Sequence, residues 1–193
     1  MTVAGLVLAA GGGRRMGRPK ALLSSDGESW LGRAVAALEA GGCLPVVVAL
    51  GAQAPDALPL VPPGAHVVVV IGWERGVAES LRRGLDAVEV ASPDAEAVIV
   101  TLVDLPGLRA EAVARVGGTG GVGQDAGERR SALRQAHYAG TPGHPVLLGR
   151  EHWGPLRAAL RGDVGARDYL AAHGAVAVDC TDLGGGDDVD RRE

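Results

Sequence analysis

The sequence predicts a three-layer α/β fold, with a mostly parallel central sheet and helices on both faces. Three observations predict it. Aliphatic runs rich in valine and leucine recur along the chain, and Ala97 to Val103 is apolar nearly throughout, as suits a strand covered on both sides. Stretches with apolar residues at helical spacing lie between these runs. The order reads strand, helix, strand, strand, helix, strand, helix, with no internal repeat. A chain of 193 residues fits one domain and can bury a sizeable core.

Val3 to Ala9 is the first strand, β-branched and aliphatic. Beyond the loop that follows, Ala21-Leu22-Leu23 is a short apolar piece, and Ser24-Ser25-Asp26-Gly27 is a turn by composition. A helix runs from about Ser29, with Leu31, Ala34, Val35 and Leu38 on one face and Gly41-Gly42 at its end. Val46 to Leu50 is the second strand. Pro55, Pro59, Pro62 and Pro63 make residues 51 to 64 a connection with one helical turn. His66 to Ile71 is the third strand. Val77, Leu81, Leu85 and Val88 then fall at helical spacing, which puts Ser80 near the free N–H groups of that helix's start.

Ala97 to Val103 is the fourth strand and runs into Asp104-Leu105-Pro106-Gly107. A helix from about Arg109 to Val116 follows. Residues 117 to 130 are glycine-rich and polar without periodicity, so they read as a mobile loop. Ala132 to Tyr138 and Pro145 to Leu148 resemble two strands flanking Gly140-Thr141-Pro142-Gly143-His144. Helices are expected around residues 150 to 160 and 164 to 173, the second with Asp163 as N-cap and Gly174 as C′ residue. Ala175 to Val178 is a last short strand. Residues 1 to 193 form a single domain in this reading, with 184 to 193 a solvated, disordered acidic tail.

Ligands of such sheets sit beyond the carboxyl ends of the strands. The loop after the first strand, Ser80 after the third and Asp104 after the fourth therefore converge on one edge. That first loop reads Leu8-Ala9-Ala10-Gly11-Gly12-Gly13-Arg14-Arg15-Met16-Gly17-Arg18-Pro19-Lys20. Its glycines let backbone N–H groups turn inward and let a ligand approach the main chain. Its cations add positive charge, and Lys20 is the only lysine in a chain whose other 19 − 1 = 18 basic residues are arginine. Strand, glycine loop and cations together suit a polyphosphate. The dinucleotide fingerprint fails, because the sixth position from Gly11 is Met16. The P-loop pattern fails as well, because Gly17 is followed by Arg18 and Pro19.

Asp104, at the end of a buried strand and followed by Leu-Pro-Gly, is placed to bind Mg²⁺, which is usually held by one or two carboxylates plus substrate phosphates. A net charge of −4 speaks against a general nucleic-acid binder. Neither Cys43 nor Cys180 stands in a metal-ligand spacing, so both read as buried reduced thiols. No apolar run approaches a membrane span and no signal peptide precedes the first strand, so the protein is expected to be cytoplasmic, with no membrane partner.

The motifs now assembled resemble those of the molybdenum cofactor cytidylyltransferases, within the molybdopterin nucleotidyltransferases. The matching pieces are the glycine loop, Trp73-x-x-Gly76-x-x-x-Ser80-Leu81-x-x-Gly84-Leu85, Val103-Asp104-x-Pro106, Gly143-His144-Pro145-Val146-Leu147-Leu148 and Gly162-Asp163-x-Gly165-Ala166-Arg167. The resemblance implies a Rossmann-like, glycosyltransferase-A-like nucleotidyltransferase fold. It implies transfer of CMP from CTP to the terminal phosphate of the molybdenum cofactor, with Mg²⁺ as cofactor and pyrophosphate released. Leu-Ala-Ala-Gly resembles the cytidylyl version of the loop, whereas guanylyl relatives more often read Leu-Ala-Gly-Gly. One departure stands at the end, where Asp188-Val189-Asp190-Arg191-Arg192-Glu193 has two arginines in place of a Thr-Pro pair.

Carried onto this sequence, the resemblance makes Leu8, Ala9, Ala10, Gly11, Gly12, Gly13, Arg15, Lys20, Ser80 and Asp104 the nucleotide site. Arg15, Lys20 and Asp104 carry catalysis, Asp104 holds the metal, and His144 and Arg167 face the pterin. The nearest rivals are a GTP-using guanylyltransferase and a nucleotidyltransferase for another phosphorylated metabolite. A rival of another class is a non-catalytic carrier that hands molybdenum cofactor to a molybdenum hydroxylase apoenzyme.

Overall fold

The computed structural model describes residues 2–13, 16–118 and 126–189. Its strands are β1 (Val3–Ala9), β2 (Ser24–Ser25), β3 (Glu28–Ser29), β4 (Val46–Leu50), β5 (His66–Val69), β6 (Ala97–Leu102), β7 (Leu133–Tyr138), β8 (Thr141–Gly149) and β9 (Val176–Asp179). Its helices are α1 (Trp30–Ala40), α2 (Ala54–Ala57), α3 (Val77–Ala91), α4 (Ala110–Gly117), α5 (Ala126–Arg130), α6 (Arg150–Ala159) and α7 (Arg167–Ala172). The main sheet has the order β5-β4-β1-β6-β8-β7-β9, and β2 with β3 forms a separate small hairpin. The pairs β4–β5, β1–β4, β1–β6 and β7–β9 are parallel. The pairs β6–β8 and β7–β8 are antiparallel. The expected mostly parallel sheet is present.

Strand geometry sorts the core into two layers, since alternate side chains leave opposite faces. Val3, Val7 and Ala9 of β1 meet Leu31, Val35 and Leu38 of α1 and Val113 and Val116 of α4. Ala4, Leu6 and Leu8 meet Leu81, Leu85 and Val88 of α3, with Trp153 and Leu156 of α6 and Leu170 of α7. Helix α3 comes closest at Gly84, where a Cβ would stand 2.7 Å from Leu6 Cδ2. No helix among the described residues is long and apolar enough to cross a membrane.

Three local expectations change. The expected loop at 117–130 contains the short helix α5, and residues 119–125 lie outside the described residues. Thr141 to His144 belong to β8 rather than to a loop, because Ala139-Gly140, both at positive φ, make a two-residue hairpin turn and leave the rest free to pair. Asp163 does not cap α7, which starts at Arg167 after Ala166. Its Oδ1 accepts instead from the Val77 N–H at 3.3 Å, at the start of α3. The tail is described to residue 189 and returns to the turn just after β6, where the Val189 N–H donates to the Asp104 carbonyl at 3.0 Å.

Candidate active site

The site grows from the carboxyl ends of β1 and β6. Ala10 leaves β1 buried, and its carbonyl accepts the Ala52 N–H at 3.0 Å, which ties the loop to the turn after β4. The chain then turns at Gly13, with φ +61, where a Cβ would overlap the carbonyl oxygen of Arg18. Among the described residues, nothing accepts from the N–H groups of Gly11, Gly12 or Gly13. Three such donors in sequence form the kind of concavity that takes anionic oxygens.

Pro19 leads into a single 3₁₀ turn, Lys20–Leu22, which returns the loop across the strand ends. There the Lys20 Nζ donates to Asp104 Oδ2 at 2.7 Å. Only 17% and 16% of the two side chains is exposed, so this is a charge-assisted contact largely out of water. Asp104 is fixed by the backbone on both sides, since Val103 donates to the Leu8 carbonyl at 3.2 Å and Val189 donates to that of Asp104. The glycine loop and the strand-end carboxylate, far apart in sequence, are one contact in space.

Two cavities open here. The smaller, about 340 Å³, is bordered by Ala10, Gly11, Gly12, Trp73, Ser80 and Asp104. Ser80 is buried in the second turn of α3. The larger, about 610 Å³, has an apolar floor that includes Val100 and Leu148, and polar groups from Gln135, His137, His144 and Arg167. Leu8, Val77 and Leu102 line both and form the partition. A pocket of this size, with a few polar groups around an apolar body, suits a small organic molecule.

His144 sits on the β7–β8 hairpin. The Tyr138 hydroxyl donates to its carbonyl at 3.0 Å, and Gln135 Nε2 donates to the Gly143 carbonyl at 3.2 Å. Burial pushes its imidazole down to about 4, and the Asp104 carboxylate pulls the other way. His144 is therefore neutral at pH 7.

Of the residues expected from sequence, Leu8, Ala10, Gly11, Gly12, Ser80 and Asp104 border the smaller cavity, and His144 and Arg167 border the larger. Ala9 points its side chain into the core under α1, so only its backbone is available to a ligand. Arg15 lies outside the described residues. Sequence reasoning missed Glu74 and Asp163, which give the smaller cavity three carboxylates with Asp104. It also missed Gln135, His137 and Asp188 at the larger. The polar residues Arg134, Gln135 and His137 within an otherwise strand-like run were the available signal.

No group of three or more histidine, cysteine, aspartate or glutamate side chains is clustered to hold a metal among the described residues. Asp104 presents its carboxylate to the same cavity as Gly11 and Gly12 of the glycine loop. One carboxylate is enough for Mg²⁺ when phosphates complete its shell, so the residues fit such an ion.

Comparison with known proteins agrees with this geometry. The family model of the MobA-like NTP transferase domain matches residues 5–177. A protein of Paenarthrobacter nicotinovorans named nicotine blue oxidoreductase is 33% identical over 196 residues, covering 99% of this chain and 93% of that one. The crystal structure of Rv0371c from Mycobacterium tuberculosis is similar at a TM-score of 0.79 and 29% identity, over 99% of this chain and 94% of that one. A manganese complex of Rv0371c gives a TM-score of 0.72 at 25% identity, over 93% and 87% of the two chains. The 2-C-methyl-D-erythritol 4-phosphate cytidylyltransferase of Thermus thermophilus shares the fold, with a TM-score of 0.65 at 22% identity over 98% and 93%. The chain belongs to the MobA-like NTP transferase family, and it is a nucleotidyltransferase.

Proposed function

We propose that this nucleotidyltransferase transfers CMP from CTP to the terminal phosphate of the molybdenum cofactor, in the cytoplasm and with Mg²⁺. One observation carries the reading. The Lys20–Asp104 contact joins the glycine loop to a strand-end carboxylate on the smaller cavity, and the larger cavity adjoins it across Leu8, Val77 and Leu102. A transfer reaction needs two ligands side by side, and two adjoining cavities support that reading.

The nucleotide takes the smaller cavity. The N–H groups of Gly11 to Gly13 hold phosphate oxygens, and Lys20 and Arg15 offset charge on the β- and γ-phosphates and on departing pyrophosphate. Ser80 contacts the nucleotide from α3. Asp104 would hold Mg²⁺, which supplies charge neutralisation on the phosphates when bound. Three carboxylates around a cavity meant for a triphosphate call for such a cation. The manganese complex of Rv0371c, a relative at 25% identity, supports a divalent ion in this fold.

The acceptor takes the larger cavity, its pterin over the apolar floor and its polar edge toward His144 and Arg167. A terminal phosphate oxygen of the acceptor bonds to the α-phosphorus of CTP, the bond from that phosphorus to the β-bridging oxygen breaks, and pyrophosphate leaves. No general base is required, because the attacking phosphate is already ionised. Neutral His144 suits a hydrogen-bonding role at the ring.

The test is thermal stabilisation by CTP and by GTP, each with Mg²⁺, together with pyrophosphate release when molybdenum cofactor is added. CTP at a hundred times its dissociation constant adds about 2.7 kcal/mol. A GTP preference would move the reading to a guanylyltransferase. Binding without pyrophosphate release would favour a carrier that serves a molybdenum hydroxylase apoenzyme.

The relative named nicotine blue oxidoreductase favours a second reading, since it matches along the whole chain. In that reading the larger cavity holds a planar heteroaromatic electron acceptor, reduced by a hydride donor from solution. Oxidation of NADH or NADPH by the protein with such an acceptor, and no pyrophosphate release from CTP, would support it.

A further inference from the structure

Two motifs of the sequence, one beginning at Trp73 and one at Gly162, prove to be a single structural unit. Helix α3 opens with two N–H groups that a helix cannot satisfy from within itself. Both are taken in trans by the loop before α7. The Val77 N–H donates to Asp163 Oδ1 at 3.3 Å, and the Ala78 N–H donates to the Gly162 carbonyl at 3.0 Å. Gly76, with φ +109, is what lets the loop come so near. A Cβ there would stand 2.5 Å from the Gly162 carbonyl oxygen and would overlap the Asp163 carboxylate.

The position of this cap matters. Asp163 borders the smaller cavity with Gly76, Val77 and Ser80. The residues that follow it directly, Val164 to Arg167, border the larger one. The loop that caps α3 on the nucleotide side is thus continuous with the wall of the acceptor side.

We propose that Asp163 is a positioning residue that couples the two substrate sites by docking the 162–167 loop on the start of α3. The proposal rests on the reading of the smaller cavity as a nucleotide site. A nucleotide that settles against Val77 and Ser80 fixes the start of α3, and through the cap it fixes the acceptor wall. The role needs an oxygen acceptor at Asp163, not a charge, because asparagine caps helices as well as aspartate does.

Hydrogen exchange on the full chain tests this, with CTP and Mg²⁺ and then GTP and Mg²⁺ as probes. In the wild type, nucleotide slows exchange at residues 8–13 and 76–81, and the slowing extends to 164–171. Asp163→Asn keeps that extension. In Asp163→Ala the slowing stops at residue 81, and without nucleotide the Val77 and Ala78 amides exchange about fivefold faster, the size of a lost cap. Gly76→Ala, which pushes the loop away from the other side, gives the same pattern and serves if Asp163→Ala does not fold.

Slowing that still reaches 164–171 in both Asp163→Ala and Gly76→Ala overturns the coupling. An Asp163→Asn variant as deficient as Asp163→Ala also overturns it, since the charge itself would then be touching the ligand. Slowing confined to 8–13 and 76–81 in the wild type removes the coupling and leaves the nucleotide site standing. No slowing at 8–13 with either nucleotide removes the nucleotide reading and the coupling with it.

Discussion

On the β1–β6 side of the molecule, the cavity takes one stretch of its wall from main chain, opposite Trp73, Ser80 and Asp104. Ala10, Gly11, Gly12 and Gly76 contribute little beyond backbone, and the strands behind them are parallel. On the β7–β8 side the polar groups are side chains, among them Gln135, His137, His144 and Arg167, carried by an antiparallel hairpin and by α7. Backbone donors suit a ligand part that every member of a substrate class shares, such as a triphosphate. Side chains suit the part that differs. Under the proposed function, the parallel half serves the chemistry and the antiparallel half serves the acceptor.

The hardest blow to that division is Asp104→Ala. It should leave folding intact and cut transfer by roughly 10²- to 10³-fold, the loss typical of one well-placed charge-stabilising group. Near-normal pyrophosphate release with Mg²⁺ would put the chemistry elsewhere. Trp153→Ala attacks the other half. Trp153 is fully buried, and its Nε1 donates to the Leu148 carbonyl at 2.9 Å, tying α6 to β8. Its truncation should cost about 3–5 kcal/mol in chemical denaturation. A loss below about 1 kcal/mol would show that β8 does not depend on α6.

Lys20→Arg keeps the charge in the parallel half and changes its shape. A planar guanidinium cannot replace a compact ammonium against Asp104, so turnover should fall roughly tenfold, about the worth of one charge-assisted hydrogen bond. Wild-type rates would mean that charge alone suffices. The smallest effect is a pH dependence in the antiparallel half. The His144 imidazole is held near 4 in the folded protein by burial, below its ordinary 6.5. Between those values the unfolded chain binds the extra proton, so this contribution is complete above about pH 6.5 and is lost as pH falls toward 4. Melting temperatures from pH 7 to 4.5 should fall less steeply for His144→Gln than for the wild type. Parallel curves would remove His144 from the balance.

The parallel half was also the easier to read from sequence. β1, β4 and β6 are buried on both faces, so unbroken aliphatic runs announce them, and α1 and α3 show one apolar stripe each. Glycine loop, Ser80 and Asp104 could be brought to one edge from the strand order alone. The antiparallel half gave weaker signals. Thr141, Pro142 and Gly143 look like loop residues, yet they lie in β8, where the hairpin turn at Ala139-Gly140 sets the register. Asp163 failed for a different reason. A capping residue three or four places before a helix is assigned to that helix by proximity in sequence, whereas this one serves a helix whose start lies 86 residues away. Contacts of that span leave no local pattern.

The partition formed by Leu8, Val77 and Leu102 has a consequence for how such a protein can change over time. Each of the three residues borders both cavities, which under the proposed function are the nucleotide cavity and the acceptor cavity. A lineage that altered any of them to admit a new acceptor would disturb its nucleotide preference in the same step. Drift toward a new acceptor is easier through Gln135, His137 or Arg167, which touch one cavity alone. The common wall is thus an anchor on inheritance, holding the nucleotide steady while the far side is free to diversify.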